Sequence, residues 1–305
     1  MTLRILKATE PLTVEQIVLT LYAPPGIGKT SLGFTAEKPL LLDFDQGAYR
    51  SANRGDSVQL KSWAEVASIT GDDLKGYKTL VVDTAGRALD HLSRDIIATN
   101  PKMGRGGALT LQGYGELRAK FIAFTGLVKS FGLDIVLIAH AEEQKSGDDV
   151  IERLDVQGGS KQEIYKSSDM MGRLKIKNGK RVLNFNPTDT SFGKNPAGIP
   201  ETEVPNFTTD PQFLAGIIAA TKTALNKMSD AQLKAAAELV DWQAKFDEAA
   251  TVDAFNALMP ETEKASEDAR ANVKRLLVKV AKGKGIEFDG TAKTFKAKAA
   301  QPEAA

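Results

Sequence analysis

The sequence has 305 residues, 42% of them hydrophobic, and its 40 Lys and Arg residues nearly balance its 39 Asp and Glu residues. This length allows one large domain or two of ordinary size, and a net charge of +1 gives no overall preference for nucleic acid. The absence of cysteine excludes disulfides, thiolate zinc sites and a cysteine nucleophile, and only two histidines argue against a histidine-rich metal site. No apolar run reaches the roughly 20 residues of a membrane span, and we expect a cytoplasmic location.

Short apolar runs alternate with helical patterns in the first part of the chain. A segment with helical spacing, 115–132, ends at a glycine stop. Strands separated by helices predict an α/β fold with a mostly parallel sheet and a ligand at the carboxyl ends of its strands. The predicted strands, most of which end in a polar residue, are 16–23, 38–45, 77–84 and 133–140.

The second part of the chain changes character. Two β-like pieces, 172–178 and 180–187, flank an Asn-Gly turn and predict a hairpin. Near residue 205 the composition becomes helical, with Ser229 as an expected N-cap and Pro260 as an expected break. We therefore predict three regions, a core over 1–209, an α-helical C-terminal module over 210–289 and a disordered tail over 290–305.

The stretch "YAPPGIGKTS" (22–31) fits a phosphate-binding loop, although Ala23 stands where a first glycine is usual. A strand precedes it and a helical pattern follows, so backbone N–H groups would hold the phosphates of a nucleotide. Lys29 would supply positive charge and Thr30 a hydroxyl ligand for Mg²⁺, whereas the alternative is a chance glycine turn. The candidate nucleotide-binding residues, with ATP and Mg²⁺ as the expected cofactors, are Pro25, Gly26, Ile27, Gly28, Lys29, Thr30 and Ser31.

Polar residues at other strand ends extend this site. Asp83, after the apolar run "TLVV", is a candidate second metal ligand, or else an acidic strand-end cap. Asp43 and Asp45 end another strand, and one of them would polarise the attacking water unless both only form turns. His140 would sense the γ-phosphate or be a neutral, hydrogen-bonded histidine at the core edge.

Two glycine-containing segments, 98–118 and 142–169, look flexible and carry basic and aromatic side chains. Such a composition suits a channel for single-stranded nucleic acid, and it is also common in ordinary solvated loops. The candidate DNA-binding residues are Lys102, Arg105, Tyr114, Arg118, Arg153 and Lys161. Lys194, in the loop 191–200, would reach the γ-phosphate of a neighbouring subunit, which requires a homo-oligomer, or would be an exposed turn lysine.

Taken in order, "YAPPGIGKTS", "LLLDFDQG", "TLVVDTAG", "LQGYGELRAKF", "DIVLIAHAEE" and "FGKNPAGIP" resemble phage nucleotide-binding proteins with a RecA-like core. Some of these serve as Sak-type single-strand annealing recombinases, and the resemblance covers residues 15–205. It implies that Asp45 takes the place of the catalytic glutamate, His140 that of the sensor glutamine, and Lys194 that of an inter-subunit finger. The two flexible segments would correspond to DNA-binding loops, and a phage origin would place the protein in a bacterial cytoplasm.

These observations predict an ATP-binding and ATP-hydrolysing recombination protein that binds single-stranded DNA and promotes annealing or strand pairing. The alternative is a nucleotide-dependent assembly or switch ATPase that acts on a protein partner without DNA activity. The C-terminal helices are loosely similar to modules of other phage annealing proteins, and a single-strand DNA-binding protein is a candidate partner for them.

Overall fold

The structure is a computed structural model that describes residues 13–146, 149–156 and 160–297. The chain divides into two compact units, one formed by residues 14–225 and a second that begins at Asn226. No helix in the described ranges combines the length and apolarity needed to cross a bilayer.

The first unit is built on a large mixed sheet. Its strands and one separate small hairpin are β1 (Val18–Ala23), β2 (Pro39–Asp43), β3 (Ser57–Gln59), β4 (Thr79–Asp83), β5 (Gly104–Arg105), β6 (Ala108–Leu109), β7 (Asp134–Ser146), β8 (Asp149–Leu154), β9 (Met170–Lys177), β10 (Lys180–Asn184) and β11 (Thr202–Glu203). The strand order is β11-β10-β9-β1-β7-β4-β2-β3, β8 pairs with β7, and β5 pairs only with β6. The strands from β9 to β3 are parallel, and β8, β10 and β11 are antiparallel to their neighbours.

Helices cover both faces of this sheet. They are α1 (Lys29–Gly33), α2 (Trp63–Ala67), α3 (Ala85–Thr99), α4 (Leu111–Ser130), α5 (Ser160–Ser167) and the start of α6 (Phe213–Glu248). Alternate residues of β4 face opposite sides, so that Leu80 packs with Leu92 of α3 and Phe121 of α4 in one core. Val81 packs with Leu214 in the other core. The predicted α/β core with a mostly parallel sheet is thus confirmed.

The strand register brings the predicted strand-end residues to one edge of the sheet. Ala23 lies opposite His140, and Asp43 lies opposite Asp83. Because neighbouring parallel strands end together, side chains from three loops converge at this edge.

The division between the units differs from the predicted boundary at 209/210. The first turns of α6 belong to the core unit because Leu214, Ile217 and Ile218 are buried with the sheet residues. Ser229 does not begin a helix, since it lies within α6. No proline or glycine interrupts α6 beyond Gly216, so the helix continues through this position.

The second unit has its own hydrophobic core and is not purely helical. It contains the end of α6, then α7 (Val252–Glu261), α8 (Glu267–Gly283), β12 (Ile286–Asp289) and β13 (Thr294–Ala297). Phe295 of β13 is buried with Phe255, so residues up to 297 are part of this unit and not of a disordered tail. Pro260 lies in the last turn of α7, which ends at Glu261, so the predicted break separates α7 from α8. The rest of the predicted tail lies outside the described residues.

The two segments predicted to be flexible contain regular structure. Segment 98–118 includes the β5–β6 hairpin, which turns at Gly106 and Gly107 with positive φ, and the start of α4. Segment 142–169 includes the end of β7, all of β8 and α5, whereas residues 147–148 and 157–159 lie outside the described residues. Pattern alone missed β8, because "DVIERL" lacks a strict alternation of apolar and polar residues and lies in a region rich in glycine and acids.

Candidate nucleotide-binding site

The phosphate loop connects β1 to α1. Gly26 and Gly28 have φ values of 78° and 98°, a region that residues with a Cβ rarely adopt. Ala23 is fully buried in β1, so the absence of the first glycine leaves the strand and its loop intact. The short helix α1 begins directly at Lys29.

Lys29 lies deep in the loop. Its ammonium group donates to the carbonyl oxygens of Ala23 (2.9 Å) and Pro24 (2.8 Å), and it lies 3.3 Å from Nδ1 of His140. Burial lowers the pKa of Lys29 to about 8, although the carboxylates of Asp83 and Asp45 oppose the shift. An anionic phosphate at the loop would therefore stabilise the charged form of this amine.

Thr30 and Asp83 form the candidate metal site. The Thr30 hydroxyl donates to Oδ2 of Asp83 at 2.6 Å, and burial raises the pKa of this carboxyl. A hydroxyl beside a carboxylate is an oxygen donor set that suits Mg²⁺, which usually takes its other ligands from phosphates and water. Within the described ranges no cluster of three or more His, Cys, Asp or Glu side chains could hold a metal ion.

The two candidate water-polarising aspartates have different surroundings. Asp43 is buried and accepts hydrogen bonds from the backbone N–H groups of Gly47 and Ala48, both at 3.0 Å. Asp45 lines the cleft and forms ion pairs with Arg50 (3.1 Å) and Arg87 (3.5 Å). The geometry therefore gives Asp43 a role in shaping the loop and leaves Asp45 as the candidate for catalysis.

A cleft of about 540 Å³ joins these groups. It is lined by Pro25, Gly26, Gly28, Lys29, Thr30, Ser31, Asp45, Gly47, Arg50, Ser51, Asp83, Thr84, Arg87 and His140. A second cavity of similar volume beside β3 has acidic residues and no lysine or arginine in its lining. Because a nucleotide carries several negative charges, the first cleft is the better match.

Sequence reasoning missed Arg50 and Arg87. Each lies four or five residues after a strand-end aspartate, Asp45 and Asp83 respectively. Thr84 accepts a hydrogen bond from the Arg87 N–H as the N-cap of α3, which places the first turn of that helix at the cleft. The spacing in sequence between each aspartate and its arginine could have identified these two arginines. A tight turn or one turn of helix brings a side chain four or five residues later back to the end of the strand.

His140 is held as a partly buried side chain between the phosphate loop and the cleft. Burial and the nearby charge of Lys29 lower the pKa of this imidazole, which favours the neutral ring. A neutral ring offers one donor and one acceptor nitrogen, which suits a sensor role as well as a structural one.

Lys194 does not point into solvent. Its amine donates to the backbone carbonyl oxygens of Tyr165 (2.5 Å) and Ser168 (2.7 Å), and its backbone pairs with Met171. Lys194 therefore caps the carboxyl end of α5, and reaching a neighbouring subunit would require both hydrogen bonds to break. Its role as a finger stays a prediction.

The candidate DNA-binding residues fall into two groups. Lys102 and Arg105 are exposed beside and within the β5–β6 hairpin, whereas Tyr114 packs partly buried against the core. Arg118 pairs with Glu163 (3.0 Å), and Lys161 pairs with Glu142 (2.5 Å). The paired cations have less charge to offer a nucleic acid.

Arg153 belongs to a separate cluster. Its guanidinium lies 4.3 Å from the centre of the Phe192 ring, and Tyr165 packs against the same ring at 4.5 Å. Phe192 is 39% exposed, and its carbonyl oxygen accepts a hydrogen bond from Tyr22 at the end of β1. This partly exposed aromatic surface connects directly to the strand that precedes the phosphate loop.

A mostly parallel sheet flanked by helices, a glycine loop at the end of its central strand and a Lys–Thr–Asp constellation together define a P-loop NTPase. Comparison with protein families agrees, because the family model described as an AAA domain matches residues 15–197. The chain belongs to this AAA domain family, a group of P-loop NTPases that bind and hydrolyse nucleotides. A search of curated proteins finds no match.

Proposed function

We propose that this P-loop NTPase is an ATP-hydrolysing recombination protein of the phage Sak type, which binds single-stranded DNA and promotes annealing or strand pairing. ATP with Mg²⁺ would occupy the cleft, with Lys29 on the phosphates and Thr30 and Asp83 on the metal. Asp45 would orient the attacking water.

The observation that carries this proposal is the continuity of β7. This strand begins in the sheet at Asp134, passes His140 beside Lys29, and extends to Ser146 as one arm of the β7–β8 hairpin. The hairpin carries Arg153 and contacts the Phe192 ring through it. The β7–β8 hairpin therefore links the phosphate site to a surface with a partly exposed aromatic ring and a cation, which is the chemistry that stacks and tracks single-stranded nucleic acid.

The β5–β6 hairpin would supply a second contact. Lys102 and Arg105 are exposed and form no ion pair with any described residue. Both cations are therefore available to phosphates, and their contribution to affinity would fall as salt rises. Binding of Lys194 to a neighbouring subunit's nucleotide would make a homo-oligomer the active form.

The first test measures ATP hydrolysis with and without single-stranded DNA, and DNA binding with ATP, ADP or no nucleotide. We expect DNA to stimulate hydrolysis and ATP to favour DNA binding. Arg105→Ala should weaken DNA binding and reduce its salt dependence, while Lys177→Ala, which removes an exposed cation that is already paired with Glu201, should change neither. Hydrolysis and DNA binding that are independent of each other would contradict the proposal.

A second candidate function, an assembly or switch ATPase acting on a protein, rests on a groove in the second unit. A groove of about 420 Å³ between α6 and α8 is mostly apolar and includes Val240, which is 63% exposed. Arg275 and Lys279 lie beside it and form no ion pair within the described residues. Charge complementarity favours an acidic segment with apolar side chains as its partner, for example on a single-strand DNA-binding protein.

Val240→Asp distinguishes the two candidates because it places a negative charge in the groove without touching the cleft. If the protein acts on a partner through this groove, the variant should lose stimulation of ATP hydrolysis by that partner, and single-stranded DNA should change hydrolysis in neither the variant nor the wild-type chain. An intact partner response in the variant would remove the groove from the function.

A further inference from the structure

Arg181 of β10 reaches the phosphate loop from another part of the sheet. A Cβ atom added to Gly28 would lie 2.7 Å from Nη1 of Arg181. The guanidinium group therefore lies directly over the last glycine of the loop, next to Lys29. Nothing in the sequence pattern marks Arg181, because it is separated from the loop by about 150 residues.

The charge of Arg181 is not neutralised. The other cations of the β9–β10 hairpin all pair with carboxylates, Arg173 with Glu152, Lys175 and Lys177 with Glu201, and Lys180 with Glu203. Within the described residues, the guanidinium of Arg181 has neither an ion pair nor a hydrogen bond. A partly exposed, unpaired guanidinium over a glycine loop has all five of its N–H donors available.

The position of Arg181 also separates it from the catalytic side of the cleft. It lines a small cavity together with Ser31 and Thr35, whereas Asp45, Arg50 and Arg87 line the main cleft. Ser31 borders both spaces and follows the Lys29–Thr30 pair. Arg181 therefore lies outside the cleft that holds the residues that would act on the γ-phosphate.

From this geometry, and on the basis of the proposed nucleotide function, we infer that Arg181 is a phosphate-binding residue. Its guanidinium lies over the loop and binds the phosphate groups that ATP and ADP have in common. Arginine suits this role because its planar group binds two phosphate oxygens at once. The hairpin thus contributes one side of the nucleotide site.

The test uses the full-length chain and measures binding of ADP and of inorganic tripolyphosphate by calorimetry. Arg181→Gln loses one charge-assisted contact, so we expect it to bind ADP about ten- to a hundredfold more weakly than the wild-type chain. The affinity of Arg181→Lys should lie between the two. The affinity for tripolyphosphate should fall by the same factor, because this ligand offers only the phosphate contacts. Lys177→Gln removes a cation from the same hairpin and should leave both affinities unchanged.

Several results would overturn the inference. Wild-type affinity of Arg181→Gln for ADP would remove Arg181 from the site. A loss for ADP but not for tripolyphosphate would show that the contact involves the base or sugar and not the phosphates. Failure of the wild-type chain to bind ADP is a different result, because it would refute the nucleotide function itself.

Discussion

Side chains of opposite charge form ion pairs in the cleft, and Asp45 is the clearest example. Its carboxylate is shared between Arg50 and Arg87 and is 30% exposed, so it is both held in position and open to the cleft. The carboxylate of Asp43, two residues earlier, accepts hydrogen bonds from two backbone N–H groups of its own loop. The two aspartates therefore differ in their surroundings although they look equivalent in the sequence.

Asp45→Asn should lower the rate of ATP hydrolysis by at least about a hundredfold, because an amide does not accept a proton from water. ADP affinity should change little, which steady-state kinetics and calorimetry would show. Asp43→Asn is the matched control, and we expect it to lower the melting temperature by weakening two hydrogen bonds to backbone N–H groups. Equal effects of both changes on hydrolysis would contradict the assignment.

The lowered pKa of Lys29 predicts a pH dependence of binding. Bound phosphate favours the charged amine, so its pKa is higher in the complex than the value of about 8 in the free protein. Above pH 8 binding must take up a proton, and affinity should fall by up to about tenfold per pH unit. The second ionisation of a phosphate, at pH ~6, lies below this range.

Calorimetry in buffers of different ionisation enthalpy would detect this proton uptake directly. Lys29→Arg keeps its charge throughout and should show an affinity that does not change above pH 8. A flat profile for the wild-type chain would mean that the Lys29 amine is charged before the nucleotide binds.

Individual site residues were predictable where both the chemistry of the side chain and its position after a predicted strand indicated the site. Asp83 ends β4, and Lys29 and Thr30 follow the loop after β1, so their side chains meet at one edge of the sheet. Arg181 was not predictable, because its contact with Gly28 depends on the pairing of β9 with β1. The ion pairs that occupy Arg118 and Lys161 also arise from tertiary packing and leave no pattern in the sequence.

At the scale of secondary structure, helix α4 contains glycines in very different surroundings. A Cβ at Gly113 would lie 2.5 Å from the carbonyl oxygen of Met103, whereas one at Gly115 would meet no described atom within 4 Å. The same substitution should therefore have opposite effects at positions two residues apart.

Gly115→Ala should stabilise the protein by about 0.5–1 kcal/mol, because alanine has the better helix propensity. Gly113→Ala should destabilise it by about 1–3 kcal/mol, because the Met103 backbone or the helix must move. Chemical denaturation of both variants would measure this. A stabilising effect at Gly113 would contradict the close packing of α4 on the preceding turn.

The predicted elements were correct where a strong local signal exists. Asn178 and Gly179 both have positive φ, as the Asn-Gly turn between β9 and β10 requires. The β7–β8 hairpin was missed because its residues look like a polar loop until they pair. Predicting flexibility from glycine content failed for the same reason at β5–β6, where the glycines form the turn.

For the whole molecule, the two units have separate hydrophobic cores. Phe246, Phe255 and Leu277 are fully buried in the second core, and none of them belongs to the two cores around the sheet. The sequence indicated a change near residue 205 but not the actual boundary, because α6 is uniformly helical in pattern. Only the burial of Leu214 and Ile218 against the sheet shows that its first turns belong to the core unit.

Leu277→Ala should destabilise the second unit by about 2–5 kcal/mol, because it leaves a cavity in a small core. ADP affinity should stay at the wild-type value, since the cleft is formed by the first unit alone. Thermal unfolding with and without ADP would separate the two effects. Loss of ADP binding in this variant would show that the units depend on each other.

The position of β1 in the sheet has a consequence for how the protein is made. β1 is made before both of its partners, β7 and β9, whose pairing residues begin at Ile135 and Met170. During synthesis β1 therefore stays unpaired until Ile135 has been made, and its second partner begins only at Met170, 147 residues after Ala23. Such non-local pairing makes folding slow, so nucleotide would be unable to assist the nascent chain until translation has passed β9.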